Sequence, residues 1–250
     1  MVNPMDLTGK HIIVTGASDG IGQSACIQAS KLGAHISMIA RNEEKLKQTI
    51  SLVEGNNHNY YVFDLNETDN IGKLVKDIVK ERGNIDGLVH CAGISKNYPI
   101  KILKTEYAET MMRIHYLAFL ELIRNASGRN MSNPGASYVG VSSAAAFRAQ
   151  KSQSAYAAAK GAMVSAIRPL AKELAVKEIR INTIAYGMVD TKMYYQDYLE
   201  IGASEDELLQ RQYMGIIDRE HAGLAICFLL SDISKYMTGT TLLYDAGTLT

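Results

Sequence analysis

The sequence predicts an α/β fold, a three-layer doubly wound parallel sheet (Rossmann fold) of about seven strands, and three observations carry that expectation. Short apolar runs of strand composition alternate with longer segments of helical period. The first run empties into a glycine-rich turn that opens a helix. A chain of 250 residues, 47% of them hydrophobic, is long enough to bury one large core, so a single domain over residues 1–250 is expected.

In order, the strand candidates are Lys10–Thr15, His35–Ala40, Tyr60–Phe63, Leu88–Cys91, Ser137–Val141, Arg180–Ala185 and Thr241–Tyr244. Helical periodicity falls between them, over Ile21–Leu32, Glu43–Val53, Asp69–Glu81, Thr105–Ala126, Ala155–Ala175 and Arg219–Leu230. Regular β-α-β alternation means parallel strands joined by right-handed crossovers. Ligands of such sheets bind beyond the carboxyl ends of the strands. The alternation lapses from Met188 to Ile217, where Met193, Tyr194, Tyr195, Tyr198 and Met214 stand among scattered acids. A connection of that length reads as a substrate lid over about 188–217, or as a surface excursion whose aromatics pack on the body.

Lysine plus arginine and aspartate plus glutamate number 26 each, so no net field draws the chain toward nucleic acid or an anionic membrane. A small-molecule partner fits better. Cys26, Cys91 and Cys227 lie in apolar segments without the pairing of a metal site or a disulfide framework, which suits a reducing compartment and a metal-free protein. The N-terminus has neither a basic region nor an apolar run, and no stretch of about 18 apolar residues occurs. A cytoplasmic location is expected.

The first strand runs into Thr15-Gly16-Ala17-Ser18-Asp19-Gly20-Ile21-Gly22. Glycines let backbone amides approach phosphate and the helix N-terminus supplies partial positive charge, so Gly16, Ser18, Asp19, Gly20, Ile21 and Gly22 are candidate dinucleotide contacts. Glycine is also the ordinary residue of any tight turn; its position after the first strand makes the signal more specific. The second strand ends at Ala40, and Arg41 stands 19 residues beyond Gly22, where an acid would bind the adenosine ribose and an arginine a 2′-phosphate. Arg41 favours NADP(H) over NAD(H), which stays an alternative because the Asp19 carboxylate would repel that phosphate. Asp64 and Leu65 follow the third strand, and Cys91, Ala92 and Gly93 the fourth, at carboxyl ends facing the same ligand.

Tyr156 and Lys160 are four apart in a helical stretch, so both leave one face of one helix. A phenol titrating near ~10 is a poor base at neutral pH, and a nearby ammonium lowers that value toward the working range. Ser143, 13 residues before Tyr156 and just past the fifth strand, is placed to hydrogen-bond a substrate oxygen as its charge changes.

The order and spacing of Thr15–Gly22, Asp64, Ala92-Gly93, Ser143 and Tyr156-Ala-Ala-Ala-Lys160 resemble the short-chain dehydrogenase/reductase family over nearly the whole chain. The resemblance implies Ser-Tyr-Lys catalysis on a bound nicotinamide cofactor, with Lys160 also holding the nicotinamide ribose. It further implies a homotetramer or homodimer built through the helices that contain His115 and Tyr156. Two departures stand out. His115 occupies the place where most members carry an asparagine that orders a water leading to the lysine, which makes it a fourth candidate catalytic residue and puts the relay's pH dependence in question. Ala185-Tyr186-Gly187-Met188-Val189-Asp190-Thr191 carries tyrosine where the family has proline; Gly187, Val189 and Thr191 keep the family's cofactor contacts by position.

Residues placed to line a substrate pocket are Ile94, Ser95, Phe147, Gln150, Gln153, Tyr186, Met188 and the Met193–Tyr198 stretch, an apolar mixture with a few hydrogen-bonding groups. A 3-oxoacyl thioester suits it, as do a keto-sugar and other secondary alcohols. A non-catalytic NADP(H)-binding regulatory protein is the reading from a different class, and the intact Ser143, Tyr156 and Lys160 weigh against it.

Overall fold

Strand segments that read as continuous apolar runs are those expected to be covered on both faces, and the computed structural model, which describes residues 3–148, 150–201 and 212–250 (197–201 by backbone only), has that arrangement. Its strands are β1 His11–Thr15, β2 His35–Ala40, β3 Asn59–Val62, β4 Ile85–His90, β5 Ser132–Ser143, β6 Arg180–Tyr186 and β7 Thr241–Tyr244. Every pairing is parallel and the order is β3-β2-β1-β4-β5-β6-β7.

The helices are α1 Gly20–Lys31, α2 Glu43–Ile50, α3 Ile71–Arg82, α4 Thr105–Met112, α5 Ala118–Ala126, α6 Ser154–Ala175, α7 Lys192–Ile201 and α8 Arg219–Leu230. Two separate apolar clusters show the layering: α1, α2 and α8 pack on one sheet face, α3, α5 and α6 on the other. On α3 the buried stripe is Ile71, Val75 and Ile78, the i, i+4, i+7 spacing of an amphipathic helix. Each such side chain contributes about 1.5–3 kcal/mol on burial. Where α1 meets α8, a Cβ on Gly223 would fall 2.9 Å from the Ser24 backbone, so glycine lets the two helices touch. Arg180, buried at the start of β6, donates to the carbonyls of Leu229 (2.9 Å) and Ser231 (3.2 Å) and so closes the carboxyl end of α8.

The structure differs from the sequence expectation at four places. β4 starts at Ile85 because Asp86, a poor strand former, accepts hydrogen bonds from the His11 amide and the Asn133 side chain, both at 2.8 Å. Gly87 follows because a Cβ there would lie 2.9 Å from Leu230. The span Thr105–Ala126 is interrupted at Arg113–Leu117 by a π-helical turn, and β5 extends back to Ser132. Within the expected lid, 192–201 form α7, while 202–211 lie outside the described residues.

The sheet order reverses between β1 and β4, whose last residues Thr15 and His90 are register partners. That is the switch point at which a doubly wound sheet opens a crevice.

Candidate active site

The turn after β1 is shaped by what cannot fit there. Gly16 has φ +69°, a conformation favouring glycine, and a Cβ on it would lie 2.7 Å from the Ala92 amide nitrogen. A Cβ on Gly22 would overlap the Gly16 carbonyl and stand 3.2 Å from the Cys91 Cβ. Backbone alone therefore walls this space at the amino end of α1, and it suits a dinucleotide's pyrophosphate. Ser18 and Ile21 line the same stretch.

Asp19 caps α1, its Oδ1 accepting from the Gly20 amide at 2.8 Å. Its Oδ2 lies 2.7 Å from Lys45 Nζ and 3.8 Å from Lys192 Nζ. Burial pushes this carboxyl up, but the Lys45 and Gly20 hydrogen bonds with the two ammonium charges outweigh it and hold it below the usual range. At the end of β2, Arg41 is 62% exposed and lies 3.9 Å from Asp64, which Leu65 follows into the same wall.

At the switch point, Thr15 Oγ1 lies 2.9 Å from His90 Nδ1, and His90 Nε2 lies 3.1 Å from the Ile114 carbonyl in the π-helical turn. Burial lowers His90 to about 3, so the ring is neutral; Nε2 donates to the carbonyl and Nδ1 accepts from Thr15. The same turn carries His115, fully buried. Its Nε2 is 2.9 Å from the Ile94 carbonyl and 3.3 Å from the Ile94 amide. The shorter contact takes the N–H and leaves Nδ1 a lone pair with no hydrogen-bond partner among the described residues. Burial, reinforced by Lys160, pushes His115 well below the ordinary histidine range. Gly93 makes room for this ring, for a Cβ there would be 2.9 Å from Nδ1 and closer still to Cε1.

Ser143 ends β5 opposite Tyr186 in register, and its Oγ accepts from the Ala145 amide at 3.2 Å. One turn of α6 separates Tyr156 from Lys160, whose Nζ stands 5.8 Å from the phenol ring centroid and donates to the Val141 carbonyl at 2.7 Å. Burial lowers Lys160 to about 8, with Cys91 acting in the opposite sense. The His115 ring meets Tyr156 edge-on at 5.5 Å. Cys91, half-buried by the same groups, is pushed up to about 12 by loss of solvation, which leaves it a thiol.

One cleft of about 840 Å³ joins all these groups: the glycine loop, Arg41, Asp64, Leu65, Cys91, Ala92, Gly93, His115, Ser143, Tyr156, Lys160, Gly187, Val189 and Thr191 all line it. Thr191 caps α7 by accepting from the Tyr194 amide (3.2 Å), and its Cγ2 would lie 3.2 Å from a Cβ on Gly20. Of the residues expected at the substrate end, Ile94, Gln150, Gln153, Met188, Met193 and Tyr194 line the cleft, whereas Ser95, Phe147, Tyr195 and Gln196 do not. The hydroxyl of Tyr186 points away from substrate chemistry, donating at 2.5 Å to the Ala222 carbonyl of α8. Side chains at 197 and 198 lie outside the described residues.

Sequence reasoning missed Lys45, Lys192, Arg148 and Gln212. Lys45 was findable, since Asn42 caps α2 and sets its phase; the Lys45 amide donates to Asn42 Oδ1 at 2.9 Å. Gln212 was not, because its role is tertiary. Fully buried, it accepts from the Met188 amide (2.6 Å) and donates to the Met188 carbonyl (2.9 Å), pairing with that loop as a strand would. Among the described residues no group of three or more His, Cys, Asp or Glu is placed to hold a metal ion, and no helix is long and apolar enough to cross a membrane.

A glycine cradle at the switch point, joined to a Ser-Tyr-Lys set, defines a short-chain dehydrogenase/reductase. A family model described as enoyl-(acyl carrier protein) reductase matches residues 16–248. The chain belongs to the short-chain dehydrogenase/reductase family, oxidoreductases acting on CH–OH groups. It is 29% identical over 245 residues to the 3-oxoacyl-(acyl-carrier-protein) reductase FabG of Thermotoga maritima, covering 97% of this chain and 99% of that one. It is 31% identical over 245 residues to a glucose 1-dehydrogenase of Gluconobacter oxydans, covering 96% and 91%. Among solved structures, a putative short-chain alcohol dehydrogenase from Sinorhizobium meliloti superposes with a TM-score of 0.91 at 27% identity, covering 99% of each chain.

Proposed function

We propose that this protein interconverts a carbonyl and a secondary alcohol with NADP(H), using Ser143, Tyr156 and Lys160 as catalytic residues. The observation that carries the reading is the position of Lys160 Nζ, held between the Val141 carbonyl and the Tyr156 ring in the cleft that the glycine loop enters. Gly16, Ser18, Asp19, Gly20, Ile21 and Gly22 would hold the pyrophosphate, Asp64, Leu65, Cys91, Ala92 and Gly93 the adenosine side and the wall, Tyr156 and Lys160 the nicotinamide ribose, and Gly187, Val189 and Thr191 the nicotinamide. The cofactor, when bound, supplies the hydride chemistry.

The chain's own residues supply position and protons. Ser143 and Tyr156 hydrogen-bond the substrate oxygen, and Tyr156 gives its phenolic proton to that oxygen on reduction or takes it on oxidation. Lys160, cationic below about 8, stabilises the phenolate left behind. His115 acts as a positioning residue: neutral, its Nδ1 lone pair accepts from a water that passes a proton to Lys160.

NADP(H) is favoured over NAD(H) because Arg41 and Lys45 stand where a 2′-phosphate would lie, and Lys45 neutralises the Asp19 carboxylate that would oppose it. The substrate is a small carbonyl or alcohol compound; the 3-oxoacyl thioester fits the Thermotoga maritima relative, and a keto-sugar or other secondary alcohol fits the Gluconobacter oxydans one. We further infer a single-domain cytoplasmic protein, a homotetramer or homodimer, with a lid over 188–217. The test follows NADPH absorbance with acetoacetyl thioester for wild type and Tyr156→Phe, with cofactor binding measured separately. Turnover lost in the variant while NADPH binding survives is the expected result. Full turnover in Tyr156→Phe overturns the mechanism, and NADPH binding without turnover of any carbonyl favours the non-catalytic regulatory reading.

A further inference from the structure

The loop that leaves β6 has little of its own to fix its shape. The chain's prolines, Pro4, Pro99, Pro134 and Pro169, all lie elsewhere, and Gly187 brings the backbone freedom of a residue without a Cβ. Yet Gly187, Met188 and Val189 all line the cleft, and a ligand bound there needs a wall that stays in place. Backbone contacts hold the loop at two points. The Gly187 amide donates to the Tyr244 carbonyl at 3.2 Å, and Val189 forms a parallel bridge with Ile217, whose amide donates to the Met188 carbonyl at 3.0 Å.

Between those points the Met188 amide donates to a side chain, Gln212 Oε1, at 2.6 Å. Gln212 is fully buried and every hydrogen-bonding position of its amide is filled. Oε1 also accepts from the Thr248 hydroxyl at 3.1 Å, while Nε2 donates to the carbonyls of Met188 at 2.9 Å and Gly215 at 2.6 Å. One amide thus joins the cleft loop, the segment that leads to α8 and the C-terminal segment, whose Thr248 lines the cleft as well. Glycine at 187 makes the arrangement possible, since a Cβ there would fall 2.4 Å from Gln212 Oε1. A carboxylate at 212 would have no donor for the two carbonyls, and an apolar side chain would leave buried donors and acceptors unpaired. Gln212 itself does not line the cleft, so it acts on a ligand through Met188.

We propose that Gln212 is a positioning residue of the reaction: it holds the Gly187–Val189 backbone where the nicotinamide end of the cofactor is bound, and it has no part in binding the adenosine end. The inference rests on the proposed reading of the cleft as a nicotinamide cofactor site, and it assigns to the Gln212 amide the loop rigidity that no proline supplies here.

Two ligands separate positioning from a general role in the fold. NADPH and 2′-phospho-ADP-ribose share the adenosine end and differ in the nicotinamide base; each is titrated by calorimetry into the wild type and Gln212→Met. The variant is expected to bind NADPH about tenfold more weakly, as loss of hydrogen bonds to a ligand-bearing loop allows, and to bind 2′-phospho-ADP-ribose as the wild type does. Equal weakening of both ligands, which a merely structural role would give, or no weakening of either overturns the proposal. A second measurement needs no variant: in the wild type, hydrogen exchange of the Met188 amide should be slowed at least about threefold more by saturating NADPH than by saturating 2′-phospho-ADP-ribose, because only the former presses on the loop that Gln212 holds. Equal slowing by the two, or no slowing by NADPH, also overturns it. A wild type that binds neither ligand overturns the cofactor reading itself and this inference with it, whereas the other failures leave that reading standing.

Discussion

Lys45 Nζ lies 2.7 Å from Asp19 Oδ2, which turns a carboxylate in the glycine turn after β1 into half of an ion pair. Both partners are about one-third exposed, so the pair adds little to stability, on the order of 0–1 kcal/mol. Its consequence is for ligand charge. Removing the ammonium in Lys45→Ala leaves Asp19 facing a 2′-phosphate with, among the described residues, the Lys192 ammonium at 3.8 Å to oppose it. The KM for NADPH should rise about tenfold while that for NADH changes less. Equal changes for the two cofactors would place the phosphate elsewhere. Arg41→Ala should act in the same direction, because among the described residues the ion-pair partner of Arg41 is Asp64, at a loose 3.9 Å.

Gly93 and His115 occupy one volume between them. In Gly93→Ala the new methyl meets the imidazole ring, and neither the fully buried ring nor the backbone has space to yield. Overpacking of this kind costs about 1–3 kcal/mol, and for a chain of this size each kcal/mol lowers Tm by roughly 2–4 °C. The double variant Gly93→Ala/His115→Ala should recover most of that loss. Calorimetry on the two variants checks it, and non-recovery would mean that the strain lies in the backbone rather than in the ring.

This pair also marks how far sequence reasoning reaches. Strands such as β1 and β6 were legible because both faces are buried, so their apolar composition is uninterrupted. The meeting of Ser143, Tyr156 and Lys160 in one cleft was legible because it depends on spacing along two adjacent elements. The π-helical turn at His115 was not, for its cause is tertiary: the Ile114 carbonyl is taken by His90, a residue 24 positions away. Gln212 and Tyr186 fail the same way. Neither has a local pattern, and each is explained only by a distant backbone group, at Met188 and Ala222.

On the proposed mechanism, Lys160 sets an upper pH limit for the reaction. Burial holds its folded value at about 8 against an ordinary 10.5, so the ammonium proposed to stabilise a Tyr156 phenolate is present below about 8 and lost above it. The kcat/KM for carbonyl reduction should therefore fall as pH rises through about 8. Stability moves the opposite way: between about 8 and 10.5 the unfolded chain holds a proton that the folded chain does not, so this residue's penalty on folding shrinks as pH rises. A rate profile flat to pH 9.5 would remove Lys160 from the mechanism. His115 adds no limb on the acid side, because its charged form is suppressed by burial; His115→Asn should leave the profile between pH 5.5 and 7.5 unchanged in shape while lowering its height.

Acid should unfold this protein earlier than its carboxylates alone would. His11, His90 and His115 are buried and all are lowered by burial, His90 to about 3. A histidine with a depressed folded value contributes stability that is fully present above its unfolded value of about 6.5 and is lost as pH falls toward its folded value, since only the unfolded chain takes up the proton in that window. For His90 the window runs from about 6.5 to about 3, with a slope of about 1.4 kcal/mol per pH unit. His90→Gln keeps an amide that can donate to the Ile114 carbonyl and accept from Thr15, the two contacts the ring makes now, but it cannot titrate. Urea unfolding of wild type and His90→Gln at a series of pH values from 7.5 to 4.5 reads the difference directly. The variant is expected to be the less stable protein at pH 7.5 and to close that gap steadily below about 6.5, one proton's slope at a time. Parallel curves would show that His90 takes up its proton in the folded state, and that the neutral ring joining Thr15 to the π-helical turn is not what keeps the switch point in place.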